Sequence, residues 1–256
     1  MKKIIILIFG LFIFSPRIAW GQAVNAQEIM EQSFYRDDGQ DAYFKIEMVL
    51  VDKAGDTRER ELLIYTKDFG ELLKTYIEFS APADIKGTKF LSLENAEGDD
   101  TQYLYLAELG RARRIVSSQK NLRFVNTDFS YEDVQRRRPD KDNHRLVKET
   151  QYSGLNCAVI ESMPKESSNS QYAKRINWVD KKSLLVVKTE FYDQRNELAK
   201  IFKVNKLGKK SGIWTALETR MEDLRENHET LMKIKEVNYN QGLSDEIFTL
   251  RKLEED

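Results

Sequence analysis

The chain has 256 residues, with 41 Lys and Arg against 42 Asp and Glu, two histidines and one cysteine. A net charge of −1 suggests neither a nucleic-acid partner nor an anionic membrane surface. A single cysteine excludes an internal disulfide, and 235 residues beyond the leader described next fit one large all-β domain or two small ones.

Residues 1–21 have the layout of a secretory signal peptide: Lys2 and Lys3, an apolar run over 4–14, Pro16, then Ala19-Trp20-Gly21 with small residues at −3 and −1. Eleven apolar residues fall short of the roughly 20 that span a bilayer as a helix. Cleavage is expected before Gln22, and no cysteine lies near the cut to carry a lipid. The mature protein, one domain over 22–256 with charge −4, is expected to be exported and soluble in the periplasm.

A short helix is expected next. Asn25 suits its N-cap, Ile29, Met30 and Phe34 recur at helical spacing, and Gly39 ends the segment. The period then becomes two. Phe44, Ile46, Met48 and Leu50 alternate with polar residues, a turn cluster covers 52–56, and a second run follows over 58–66. Further strand-like runs cover 71–79, 88–93, 103–106, 113–116, 146–152, 157–163, 172–179, 184–192, 198–207, 213–221 and 230–238. This is a meander of antiparallel strands, and the expected fold is mostly β: a strongly curved sheet of about eleven strands. The strand period is lost over 117–143. There Ser130, Glu132 and Asp133 followed by Arg136, Arg137 and Arg138 suit a short helix over 130–138 that Pro139 stops. A last helical turn is expected near 244–249. The single Cys157, in a strand-like run, is read as a buried small hydrophobe.

Several runs place apolar groups on one face: Phe44, Ile46, Met48 and Leu50; Leu62 and Ile64; Leu185, Val187 and Phe191; Met232 and Ile234. Lys45, Glu47, Lys188, Glu190, Lys233 and Lys235 fall on the opposite face. A curled sheet with one greasy and one wet side needs a cover over the greasy concavity, which is either filled by helices and loops or left partly open as a ligand cavity.

The catalytic inventory is thin. His144 and His228 lie in charged loops, are expected at the surface, and have no metal-binding spacing. No nucleophile elbow, phosphate loop or dinucleotide fingerprint is present. Asp99 and Asp100 read as a turn, and Glu132 and Asp133 as helix N-terminal charge. The clusters Arg111/Arg113/Arg114 and 136–138 read as a solvated turn and a helix end. No enzyme activity, cofactor or metal is expected.

Three stretches then carry a resemblance: FSAPADIKGTKFL at 79–91, LYLAELGRARRI at 104–115 and FVNTDFSYED at 124–133. Their order and spacing resemble the LolA-like outer-membrane lipoprotein-sorting proteins, in the branch found beside exporters of the RND/MMPL type. The family's usual Pro after the Leu-Tyr-Leu run is Ala107 here, and its Gly-Ser before Asp-Phe-Ser is Asn126-Thr127. The resemblance implies a half-barrel whose helices plug a hydrophobic concavity, and non-catalytic transfer of lipid or lipoprotein acyl chains. It implies a monomer that meets an inner-membrane exporter and an outer-membrane acceptor. Pro82, Gly87, Thr88, Tyr105, Arg113, Asp128, Phe129 and Asp133 carry the signature in structural roles: Pro82 a bend, Gly87 a turn, Asp128 or Ser130 a helix cap. The alternative function is an adaptor that docks on the exporter and carries nothing. A hydrolase ranks last.

Overall fold

A computed structural model describes residues 25–167 and 170–255. The expected leader and its cleavage site lie outside the described residues. Helix α1 runs Ala26–Phe34, and the Asn25 side chain accepts from the Gln27 amide at 3.0 Å, as its N-cap position requires.

Each of the thirteen period-two runs is a strand, so the sheet has two more strands than the eleven expected. They are β1 (Asp41–Val51), β2 (Thr57–Phe69), β3 (Leu72–Ala81), β4 (Lys89–Leu93), β5 (Thr101–Leu106), β6 (Arg111–Ile115), β7 (Asp142–Tyr152), β8 (Leu155–Pro164), β9 (Tyr172–Asp180), β10 (Val186–Asp193), β11 (Leu198–Lys210), β12 (Ile213–Asp223) and β13 (His228–Tyr239). The short runs at β5 and β6 become full strands because ladder pairing extends each beyond its apolar residues. All thirteen form one curved, unclosed antiparallel sheet, ordered β6-β5-β4-β3-β2-β1-β13-β12-β11-β10-β9-β8-β7. The chain winds outward from β1 to β6. It crosses to the far edge through residues 116–141, then winds inward from β7 until β13 pairs with β1.

Alternation fixes which side chains meet inside. Ile46 opposes Leu62 and Ile234, Met48 opposes Met232, and Phe90 opposes Ile77 and Leu104. These inward groups form the principal core together with Phe79, Phe191 and Met221. The outer face is not uniformly wet. Tyr76, Leu91 and Tyr105 point outward from β3–β5 and are covered by Phe248 and Leu253 of the C-terminal segment, a 3₁₀ turn over Asp245–Phe248 and helix α2 (Leu250–Glu254). A greasy outward patch at one end is thereby buried.

Pro82 follows β3, and its carbonyl accepts from the Lys86 amide at 2.9 Å. Gly87 closes this turn at φ +80°, donating to the Phe79 carbonyl. An L side chain there meets the left-handed penalty, and its Cβ would stand 3.4 Å from that of Ala107. Gly87→Ala is expected to destabilise the fold by about 1–2 kcal/mol, as a drop in the urea midpoint at unchanged slope.

Candidate functional site: the concavity and its plug

The concave face is filled by residues 116–141, called the plug here. The expected helix over 130–138 does not form. Ser130 and Asp133 do exchange capping bonds, Ser130 N to Asp133 Oδ2 at 2.8 Å and Asp133 N to Ser130 Oγ at 3.2 Å, and the Val134 amide reaches the Ser130 carbonyl. One turn forms and stops, because the side chains that would lie along a helix surface are drawn down to the sheet instead. Pro139 opens a 3₁₀ turn, Pro139–Lys141, rather than ending a helix. Two further 3₁₀ turns cover Ser117–Gln119 and Phe124–Asn126. Plug residues Phe124, Phe129 and Tyr131 join the principal core, with Phe124 edge-on to Phe90 at 5.0 Å.

Of the expected lining residues, Ile46, Met48, Leu50, Leu62 and Phe191 are buried in this core, and Phe44, Ile64, Met232 and Ile234 pack against it. Leu185 lies in the turn before β10, where Asp180 and Ser183 bond and Leu184 is left-handed at φ 59°. Val187 is fully buried but outside the principal cluster. Cavities remain around the plug, some between it and strands β3–β6. The largest, about 800 Å³, is lined by charged residues including Arg138, Lys141 and Lys165. The apolar middle of the concavity is occupied by Phe124, Phe129 and Tyr131 of the plug.

The plug is held by polar bonds to strands around the half-barrel. Asp128, with no exposed surface, accepts from Thr230 Oγ1 at 2.6 Å and meets His228 Nδ1 at 2.8 Å, both on β13. Glu132 accepts from Arg175 on β9 at 2.5 Å and from Ser170 Oγ and the Gln171 amide. Asp133 accepts from Lys200 on β11 at 3.1 Å and from the Tyr172 hydroxyl at 2.9 Å. Lys200, 3% exposed, also donates to the Asp128 carbonyl at 2.7 Å. Burial together with the Asp133 carboxylate raises the Tyr172 hydroxyl well above its ordinary range, so it serves only as a neutral donor. Arg60 on β2 donates to the Val125 carbonyl at 2.7 Å, and Gln102 on β5 to the Tyr131 carbonyl at 3.1 Å. Burial raises the Tyr131 hydroxyl above its ordinary value, and the Arg113 charge on β6 opposes it.

Several expectations change accordingly. Glu132 and Asp133 are partners of buried cations, not helix N-terminal charges; adjacent in sequence, they diverge to different strands. Asp128 is a buried anchor rather than a helix cap. Arg136 and Arg138 pair with Glu94, and Arg137 with Asp142, rather than ending a helix in solvent. The two histidines are half-buried, because each ring nitrogen of His144 is engaged, by Ser162 Oγ and the Pro139 carbonyl, and His228 leans on Asp128. Arg111, Arg113 and Arg114 are exposed as expected, on edge strand β6 rather than in a turn. Cys157 is buried, and burial pushes its thiol up to about 11. Among the described residues no cluster of three or more His, Cys, Asp or Glu is placed to hold a metal.

Lys200, Arg175 and Tyr172 were not singled out from the sequence. Their signal was present: Lys200 shares the inward phase of β11 with Phe202, and Arg175 shares that of Asn177 and Val179 on β9. A cation at a core-facing strand position requires a buried partner.

At the rim, Asp100 is pushed up to about 6, chiefly by burial and further by Glu94, with Lys141 opposing. Its folded value exceeds the unfolded one, so its ionised form disfavours the fold. Stability tied to Asp100 is fully present below 3.8 and is lost as pH rises toward 6. Asp100→Asn is expected to raise Tm at neutral pH by about 2–4 °C, and to leave it unchanged well below pH 4.

A family model for an uncharacterized protein matches residues 71–255. No curated protein matches the sequence. Among solved structures, the chain is similar to a DUF1329 family protein from Desulfovibrio piger, at 30% identity and TM-score 0.84 over 89% of this chain and 97% of that one. It is similar to a putative outer membrane lipoprotein-sorting protein domain from Vibrio parahaemolyticus, at 27% identity and TM-score 0.85 over 90% and 98%. A LolA superfamily protein from Nitrosomonas europaea shares the fold at 17% identity and TM-score 0.69, over 89% of this chain and 98% of that one.

Proposed function

Since the chain belongs to the DUF1329 family and is similar in fold to LolA-like lipoprotein-sorting proteins, we propose that it is a non-catalytic periplasmic carrier that takes acyl chains into the concavity when the plug lifts. The observation that carries this reading is the mismatch between the two halves of the interior. The sheet contributes an apolar wall, from Ile46 and Met48 to Phe90 and Met221, interrupted by the polar side chains that hold the plug. The plug covers it through side-chain bonds and short turns, with no regular element of its own. The plug also holds strain: Val125, a β-branched residue, sits at φ 47° and ψ 45°. Such a conformation costs on the order of 1–3 kcal/mol and marks segments with a second arrangement. An acyl chain occupying the wall would replace the contacts of Phe124, Phe129 and Tyr131, at about 0.8 kcal/mol per buried methylene.

The lipid or lipoprotein cargo, the outer-membrane acceptor and the periplasmic address belong to this proposal. A second reading, an adaptor on an RND/MMPL-type inner-membrane exporter, draws on edge strand β6. There the exposed Arg111 and Arg114 lie beside the exposed Leu109, Val116 and Leu122. Native mass spectrometry of protein taken from its own periplasm separates the readings. A co-purifying lipid is the result expected for the carrier. A clean apo mass, with a membrane transporter captured by crosslinking, gives the lead to the adaptor.

A further inference from the structure

Among the ion pairs that join the plug to the sheet, Glu132–Arg175 and Asp133–Lys200 are the two in which the plug supplies the anion and an Arg or Lys of a strand the cation. Lifting the plug removes both carboxylates and leaves Arg175 and Lys200 on the floor of the cavity. A buried cation deprived of its partner is strongly disfavoured. Arg175 also has a donor to spare, since its buried Nη1 has no hydrogen-bond partner even with the plug seated. The Tyr172 hydroxyl, between the two, would lose its acceptor at the same moment.

We propose that this carrier selects amphiphiles with an anionic headgroup, whose phosphate or carboxylate replaces Glu132 and Asp133 on Arg175, Lys200 and Tyr172 while the chain lies along the apolar wall. The proposal rests on the carrier reading and names its substrate class. At this site the exchange is local: Glu132 and Asp133 leave Arg175 and Lys200, and one or two negative charges of the headgroup take their place. A neutral amphiphile offers the same chain but no counter-charge, so it must open the plug against two orphaned cations.

The test is displacement of the neutral fluorophore N-phenyl-1-naphthylamine by dodecyl phosphate and by monododecanoyl glycerol, each below its micellar range, with inorganic phosphate as a third arm. Dodecyl phosphate is expected to displace the probe at a concentration lower by about tenfold or more, the size of one charge-assisted hydrogen bond. The double variant D133N/K200M keeps shape and removes both charges, so it avoids an unpaired buried ion. With a native melting curve, it should bring the ratio below about threefold, the remainder being held by Arg175. Equal displacement by both amphiphiles overturns the inference and leaves the carrier reading intact. Displacement by neither overturns both. An unchanged ratio in D133N/K200M places the anion elsewhere and overturns the assignment. Displacement by inorganic phosphate alone would make this a free-phosphate site and overturn the headgroup role.

Discussion

Asp133→Ala is expected to lower the free energy of unfolding by about 3–5 kcal/mol, the range for removing one partner of a buried ion pair. Its side chain is 1% exposed and accepts from Lys200, from Tyr172 and from the Ser130 amide. Alanine leaves an ammonium that is 4% exposed with only the Asp128 carbonyl, and orphans a hydroxyl beneath the plug. Asp133→Asn should cost less, because the amide oxygen can still accept from Tyr172. Adding Lys200→Met to Asp133→Ala should recover most of the loss, since it removes the stranded charge. Urea denaturation of Asp133→Ala, of Lys200→Met and of the double closes this cycle. If Asp133→Ala unfolds within about 1 kcal/mol of wild type, the ion pair is not the clasp argued here.

Ile46→Asp is expected to cost about 4 kcal/mol or more at neutral pH, from the lost side-chain volume and the buried carboxylate together. Ile46 is 6% exposed, flanked by Leu62 and Ile234 across the ladders and by Met48 on its own face. Its neighbours are apolar, so the carboxyl should titrate upward and take a proton. The loss is therefore expected to shrink as pH falls toward 5. A pH-independent loss would place residue 46 in contact with water. Thermal melting reports the fold and probe displacement reports the cavity, so a variant that folds at low pH can be assayed there for chain binding.

Which parts of this architecture could be read from the chain follows from the range of each interaction. Strand existence and face are local: the alternation through Phe44–Leu50 survives whatever the partner strand is, because successive side chains point to opposite faces. The turn at Gly87 and the cap at Asn25 are equally local. The plug was misread because its conformation is set by distant strands. Ser130, Glu132, Asp133 and the arginines over 136–138 satisfy every rule for a short helix, yet Glu132 is claimed by Arg175, 43 residues away, and Asp133 by Lys200, 67 residues away. Two buried ion pairs outweigh the propensity of a nine-residue helix, which is marginal by itself. Asp128, expected as a helix cap, and His228, expected in a surface loop, meet across 100 residues for the same reason. Leu185 was placed one residue too early in its strand, because the left-handed Leu184 delays the start of β10.

Hydrogen exchange with and without a bound acyl probe tests the central claim most directly. Dodecyl phosphate is expected to speed exchange of plug amides that are bonded when the plug is seated, notably Phe124 to the Phe129 carbonyl and Asp128 to Thr230 Oγ1. Amides of β1, β2 and β13 should keep their protection, since the sheet remains paired while the plug lifts. Saturating probe with unchanged or greater protection across 124–134 would contradict that claim, because the chain would then be binding outside a concavity whose plug stays seated.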